Sequence, residues 1–244
     1  MNTRKGRMSN TSRCYASAIG GCDSISREHV VTRSLFGDGP VLTSGLRVPP
    51  DTPIGIDSLV ANILCAKHNS ELSPLDAEIK VLGDTCLAFL KQAQSLQVTV
   101  SGPLIERWLL KLAIGSTASG WIYGVKIVPP REVIETLFGI RAFPPTVGMF
   151  GLAGIGRMVQ KAEDVSFDFF AGQSAGSMGV VTNVHGLPMF LSVCLDSPEQ
   201  ELRAQGVIRD FDVSTAVLRR HPKELILNAG GGSPTLSVLF DWPG

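Results

Sequence analysis

The chain has 244 residues, of which 44% are hydrophobic and 18% charged, a composition typical of a folded globular protein. Its formal net charge is zero, which argues against a protein whose whole surface is built to bind nucleic acid. No apolar run approaches the roughly 20 residues that a membrane span needs, and no apolar export segment follows the basic N-terminus. These features predict a cytoplasmic protein that does not enter a membrane.

The charge is unevenly distributed along the chain. Between Met1 and Leu35 there are six basic residues against two acidic ones. Such an excess is typical of a surface that contacts phosphates, and equally of a solvated basic tail. For residues 1–12 the sequence leaves both interpretations open.

The first third of the chain is expected to be a small unit with little regular structure. Residues 13–36 are polar and rich in small side chains, which is typical of a fold supported by a metal ion. The many glycines and prolines of residues 37–53 predict a loop. A short helix is then expected to carry His68 and Asn69.

Three further helices follow in the prediction. Ser73 and Pro74 are typical of an N-cap and a first helical position, so a helix should run from residue 74 to about residue 94. After a short strand at residues 98–100, Pro103 opens a helix with one apolar face, and residues 130–138 form another short helix. The apolar face of the helix after Pro103 consists of Leu104, Ile105, Trp108, Leu109, Leu112 and Ala113.

Beyond Thr146 the hydrophobic period changes to two, which is typical of strands. Strands are expected around Phe167 and Val238, and residues 179–195 resemble two strands joined near His185. The predicted fold class is therefore α+β. We expect a zinc-stapled ββα-metal module in residues 1–96 and a strand-rich α+β domain of unknown role in residues 97–244.

The cysteines indicate metal binding rather than disulfides. There are five, an odd number, in a chain without an export signal. Cys86 and Cys194 lie in apolar runs and are expected to be buried thiols. The other three, Cys14, Cys22 and Cys65, lie in polar, turn-rich sequence and are candidate ligands.

Structural zinc usually binds four nitrogen or sulfur ligands that are offered as two close pairs. Cys65 and His68 are separated by two residues and lead into a predicted helix. Cys14 and Cys22 enclose seven residues, more than the usual two to four. The spacing predicts a structural zinc site at these four residues, and the alternative is that the thiols are merely buried.

Between these pairs lies Glu28-His29, and Asn69 directly follows His68. This order resembles that of the HNH nucleases of the ββα-metal (treble-clef) type. More narrowly, the segments SREHV and LCAKHNSELSPLD are similar to a group of uncharacterised bacterial HNH-like proteins. The resemblance covers about residues 13–80, a third of the chain.

The resemblance implies a role for each matching residue. His29 would be the general base that takes a proton from the attacking water. Glu28 and Asn69 would hold a divalent ion such as Mg²⁺ against the scissile phosphate. The zinc would hold strand and helix in register without taking part in hydrolysis.

This chain departs from the family pattern at one position. The family's middle asparagine orients the general base, and Val60 stands at that position here. Asn62 or Asp57 could replace it from nearby. Asp76 could reach a metal ion from the next helix, or could serve in the capping box of that helix with Ser73.

These observations predict an HNH endonuclease that hydrolyses DNA phosphodiester bonds. The alternatives are a non-catalytic zinc module that binds nucleic acid or protein, and a structural appendage on a C-terminal sensor or assembly domain. The C-terminal part could form a homodimer or bind a partner protein. Cleavage of RNA, and a use in defence, mobility or repair, are left open.

Overall fold

The computed structural model describes residues 13–36, 41–44, 53–92, 94–122, 124, 126–145, 147–153, 157–158, 165–171, 178–193, 217–228 and 234–243. Within these residues the fold is mixed α/β, with α-helices and three β-sheets, as the sequence predicts. Residues 1–12 and Cys194, on which predictions were made, lie outside the described residues.

The helices are α1 (Ala66–Glu71), α2 (Ser73–Gln92), α3 (Gly102–Ser119) and α4 (Arg131–Leu137). The strands are β1 (Ile25–His29), β2 (Val41–Ser44), β3 (Pro53–Ile54), β4 (Val60–Cys65), β5 (Leu96–Ser101), β6 (Gly148–Ala153), β7 (Arg157–Met158), β8 (Val165–Ala171), β9 (Met178–Val184), β10 (Leu187–Val193), β11 (Val217–Arg220), β12 (Glu224–Asn228) and β13 (Thr235–Asp241). Short 3-10 helices lie at Tyr15–Ile19, Arg33–Leu35 and Ile56–Ser58.

Strands β1 and β4 form an antiparallel pair, and α1 begins at the residue after β4. Glu28 lies opposite Ala61, and His29 lies opposite Val60. The short helix predicted to carry His68 and Asn69 is confirmed as α1. Two strands and a helix therefore meet at the residues that carry the predicted chemistry.

The largest sheet has seven strands in the order β11-β6-β10-β9-β8-β2-β3. Strands β9 and β10 confirm the predicted hairpin. His185 and Gly186 join them with φ of 48° and 93°, a left-handed backbone at both positions of a two-residue turn. Such turns match the twist of a hairpin, which is why glycine stands at the second position.

The prediction of a loop over residues 37–53 is wrong in part. Strand β2 lies inside this range, and it pairs with β8 in parallel and with β3 antiparallel. The sequence Val41-Leu42-Thr43 has good strand propensity. Its pairing with β8, which lies far along the chain, could not be predicted from the surrounding glycines and prolines.

The third sheet has the order β5-β13-β12-β7. Strand β5 contains the predicted strand at residues 98–100, and it pairs with β13 in parallel. On β13, Leu236, Val238 and Phe240 are buried and alternate with half-exposed residues. The period of two is therefore confirmed in β13.

Helix α3 is the central element of the fold. It contacts α2, α4 and strands of all three sheets. The sequence predicts one buried face, yet Leu110, Lys111 and Ser116 are buried as well as the apolar face. The prediction was wrong in this respect because neighbours cover the helix on several sides, so a buried lysine on it must be paired.

Helix α2 begins one residue earlier than predicted. Ser73 is its first residue and not its N-cap, because the Ser73 hydroxyl donates to the Ser70 carbonyl at 2.8 Å. Cys86, on the same helix, is fully buried as predicted.

Among the helices described, none has the length and hydropathy that crossing a membrane requires.

Candidate functional site

Four side chains predicted as zinc ligands come together beside the β1–β4 pair. Their ligand atoms all lie within 4.8 Å of one another. Cys14 immediately precedes the 3-10 helix Tyr15–Ile19, and Cys22 lies in the turn before β1. Cys65 ends β4, and His68 lies in α1. The close Cys65–His68 spacing and the wider Cys14–Cys22 loop therefore meet at one point.

The distances suit a tetrahedral metal ion. The His68 Nδ1 atom lies 3.4, 3.6 and 3.1 Å from the sulfur atoms of Cys14, Cys22 and Cys65, respectively. Zinc bonds of about 2.3 Å to sulfur and about 2.0 Å to nitrogen place such atoms roughly 3.5 Å apart. Nδ1 is thus the ligand nitrogen, and the four side chains could hold a metal ion such as zinc.

The burial of the cluster opposes free thiolates at Cys14 and Cys22. Burial raises the pKa of Cys14 to about 12, and burial also raises the pKa of Cys22. Thiols in this setting stay protonated unless a positive charge compensates them, and a zinc ion supplies that charge. The donor set of three sulfurs and one imidazole is one that zinc commonly takes.

Hydrogen bonds fix α1 against the Cys22 turn. The Asp23 carboxylate accepts the Lys67 N–H at 3.0 Å, and the Ser24 carbonyl accepts the Ala66 N–H at 2.8 Å. The bond from the Lys67 backbone is the main cause that lowers the pKa of Asp23. These bonds satisfy N–H groups in the first turn of α1, so they set the distance between the two ligand pairs.

Glu28, a predicted Mg²⁺ ligand, is engaged by a lysine. Its side chain is buried, and its Oε1 lies 2.8 Å from the Nζ of Lys111, which is buried on α3. Burial raises the pKa of Glu28 in spite of the lysine. Burial alone would lower the pKa of Lys111, but the attraction of Glu28 and Asp76 outweighs it and raises this pKa.

Asp76 holds the same lysine from the other side. Both Asp76 oxygens accept from Lys111 Nζ, at 2.9 and 2.8 Å. The Thr32 hydroxyl donates to Asp76 Oδ1, and the Trp108 indole N–H donates to Thr32 at 2.7 Å. Asp76, whose side chain is 30% exposed, therefore lies at the edge of a network with the buried Lys111, Thr32 and Trp108, and its hydrogen bonds do not include a capping box with Ser73.

His29 lies on the opposite side of β1 from Glu28, as alternation along a strand requires. About a third of its side chain is exposed. Its Nε2 atom lies 3.9 Å from Asp57 Oδ1, and the same oxygen lies 3.6 Å from Nη1 of Arg33. Of the two residues considered as replacements for the middle asparagine, Asp57 is the one that lies beside His29.

Asn69 and Asn62 take different positions. The Asn69 amide lies 3.5 Å from the Ser26 hydroxyl, at the outer limit of a hydrogen bond. Asn62 is exposed on β4, two residues beyond the partner of His29. Glu28, Asn69 and Asp76 thus have other partners here, and as they stand they do not fit a divalent ion.

Sequence reasoning missed Lys111, Thr32 and Trp108 as parts of this site. Trp108 was predicted as a core residue, and it is buried. Lys111 belongs to an apolar helix far along the chain from Glu28. A lysine within an otherwise apolar helical stretch was the signal that could have indicated a buried partner.

Comparisons with protein-family models, with curated proteins and with solved structures found no match to this chain. The functional argument therefore rests on the residues and geometry of the site.

Proposed function

We propose that this chain is a zinc protein of the ββα-metal (treble-clef) type that hydrolyses DNA phosphodiester bonds. The order of its parts supports the module, since a cysteine pair, β1, β4 and α1 surround the four-ligand cluster. Zinc would be held by Cys14, Cys22, Cys65 and His68. It would stabilise the contact of the β1–β4 pair with helix α1 and take no part in hydrolysis.

The position of His29 carries the hydrolytic part of the proposal. Its Nε2 atom is buried and faces Asp57, while a third of the side chain is exposed. A carboxylate on the Nε2 side favours the tautomer with the proton on Nε2, which leaves Nδ1 free to accept a proton. The nearby Arg33 is well exposed and can bind a phosphate oxygen.

The proposed step needs only these residues and water. His29 Nδ1 takes a proton from water, and the water oxygen forms a bond to phosphorus. The bond from phosphorus to the leaving sugar oxygen breaks, and solvent protonates that oxygen. The Asp57 carboxylate, 3.9 Å from Nε2, supplies the nearby negative charge and would orient the imidazole on closer approach.

The Mg²⁺ ion implied by the family resemblance has no step in this proposal. In the described structure the Lys111 ammonium lies between Glu28 and Asp76. A divalent ion at these carboxylates requires Lys111 to leave, at the cost of breaking a buried ion pair.

The ion pairs of Lys111 with Glu28 and Asp76 favour a second candidate function. A module whose carboxylates bind an internal lysine can retain its zinc and its fold without cutting DNA. In that case the chain binds nucleic acid or a protein, and His29 is a surface residue of the zinc module.

A plasmid-nicking assay distinguishes the two candidates. Zinc-loaded protein, with and without added Mg²⁺, is expected to nick supercoiled DNA, and His29→Ala is expected to lower the rate by at least 100-fold, the usual range for a general base. Free imidazole should restore part of the activity of this variant. Nicking that survives His29→Ala excludes the assigned role, and DNA binding without any nicking supports the second candidate.

A further inference from the structure

A cleft of about 550 Å³ lies beside the zinc cluster. Its walls come from three parts of the chain: the loop that carries Cys14, strand β4, and the end of α3 with the segment after it. Val60 lines the cleft and is the partner of His29 across the β1–β4 pair. Opposite residues of an antiparallel pair lie about 5 Å apart, so the cleft adjoins His29.

The charges of the cleft favour an anion. Arg13 and Lys126 are exposed at its walls, and none of the described residues that line it is acidic. In the part of the chain that the structure describes, neither of these two side chains belongs to an ion pair. Two cations that no carboxylate neutralises are suited to phosphate groups.

Trp121 gives the cleft an aromatic wall in a fixed position. Helix α3 ends at Gly120, whose φ is 82°, and the Trp121 N–H donates to the Ser116 carbonyl at 3.0 Å. This pattern is a common helix end that only glycine adopts without strain. The segment after it is also tied back, because the Ile127 N–H donates to the Thr117 carbonyl at 3.2 Å.

We infer that the cleft binds one unpaired nucleotide of a nucleic-acid strand, with the base against Trp121 and the phosphates near Arg13 and Lys126. Aromatic side chains stack on bases of any sequence, and cations contact the adjoining backbone. Asn62, Ser17 and Ser119 are among the residues that give the cleft polar groups for the base edge. The volume is in the range of a small-molecule site, which suits one nucleotide.

This inference rests on the proposed function, because it names a single strand as the form of DNA that reaches His29. The test is a binding assay by fluorescence anisotropy with a labelled 12-nucleotide thymidine strand and the same strand in a duplex, without added Mg²⁺. The zinc-loaded protein should bind the single strand more tightly. Trp121→Leu should weaken binding by about tenfold, the usual loss of one stacked base.

The salt dependence tests the two cations. The double variant Arg13→Gln with Lys126→Gln should reduce the slope of log Kd against log salt by about 1.4, since each phosphate contact to a single strand contributes about 0.7. The matched control, Lys91→Gln with Lys223→Gln, removes the same charge from exposed positions that do not line the cleft and should leave the slope unchanged.

Two results overturn the inference: no binding of the single strand, or binding that neither set of cleft substitutions weakens. The readout is binding, so it separates this inference from the proposed hydrolysis. Single-strand binding that depends on the cleft, in a protein that never nicks DNA, rejects the hydrolase and retains the cleft.

Discussion

Lys111 Nζ lies 2.8 Å from Glu28 Oε1 and joins the central helix α3 to strand β1 of the β1–β4 pair. Both side chains are buried, so this pair replaces contacts that each charge would otherwise make with water. The second carboxylate, Asp76, gives the lysine two anions for one cation. Glu28 and Asp76, which the sequence predicts as candidate metal ligands, are thereby bound to a helix that lies outside residues 13–80, the segment that carries the family resemblance.

Replacing Lys111 with methionine should destabilise the protein strongly. Glu28 would remain buried without its cation, and the partly exposed Asp76 would lose the same partner. Removing one partner of a buried ion pair typically costs about 3–5 kcal/mol. Chemical unfolding followed by circular dichroism measures the loss. Lys80→Met is the control, because Lys80 forms an exposed pair with Asp84 one helical turn away and should cost about 0.5 kcal/mol or less.

We expect Lys111→Met to destabilise the protein because the Glu28 and Asp76 carboxylates lose their cation, and not because the packing of the lysine methylene groups is lost. The triple variant Glu28→Gln, Asp76→Asn, Lys111→Met removes all three charges and should regain most of the lost free energy of unfolding. A triple variant as unstable as Lys111→Met would contradict the electrostatic explanation.

Lys111 should also decide whether a divalent ion binds at these carboxylates. Mn²⁺, a spectroscopic substitute for Mg²⁺, is titrated into zinc-loaded protein, and free Mn²⁺ is followed by electron paramagnetic resonance. We expect no Mn²⁺ binding by the native chain that depends on Glu28. Lys111→Ala should bind one Mn²⁺ per chain, because two carboxylates then face an empty space.

Adding Glu28→Gln to Lys111→Ala should abolish that binding. Mn²⁺ binding by the native chain that is lost in Glu28→Gln would be the opposite result. It would mean that the ion displaces Lys111, and it would restore a metal-dependent reaction to consideration.

Removing one zinc ligand should remove the metal and unfold the surrounding module. Cys65→Ser is expected to lose the single zinc ion per chain that elemental analysis should find in the native protein. The thermal midpoint should fall as well, because the free energy of zinc binding is also folding free energy. Cys86→Ala is the matched control, since Cys86 is equally buried but lies outside the cluster, and it should retain zinc. A native protein purified without zinc, which also takes up none, would contradict the assignment.

The parts of the site that sequence predicts are those fixed by local spacing. Cys65 and His68 occupy one strand end and the helix after it, so two intervening residues suffice to bring their donors together. The hairpin around His185 follows from two apolar, strand-forming segments on either side of a tight turn. In these cases the backbone geometry near each residue determines the contact.

The parts that sequence did not predict depend on packing between distant elements. Nothing near Glu28 indicates that Lys111 will fill the space beside it, because α3 reaches that strand through the tertiary fold. Strand β2 was missed for the same reason, since its partner β8 lies more than a hundred residues further along the chain. The sequence offers Asn62 or Asp57 as a replacement for the middle asparagine, and only the tertiary fold brings Asp57 to 3.9 Å from His29 Nε2.

A final prediction concerns Gly115, which lies in α3 where the helix packs against the strand end beside His29. Alanine normally stabilises a helix interior relative to glycine, by about 1 kcal/mol. Here a Cβ atom at Gly115 would lie 2.9 Å from Cγ1 of Val30, closer than carbon atoms pack. We therefore expect Gly115→Ala to destabilise the protein by about 1–3 kcal/mol, the usual cost of overpacking.

The steric origin of that loss is tested by a double-mutant cycle with Val30→Ala, measured by chemical unfolding. Removing Cγ1 of Val30 leaves room for the new methyl group, so Gly115→Ala should be neutral or stabilising in the Val30→Ala background. Without the clash between the new methyl group and Val30, the higher helix propensity of alanine should stabilise α3. Equal destabilisation in both backgrounds would show that contact with Val30 is not the reason for glycine at this position.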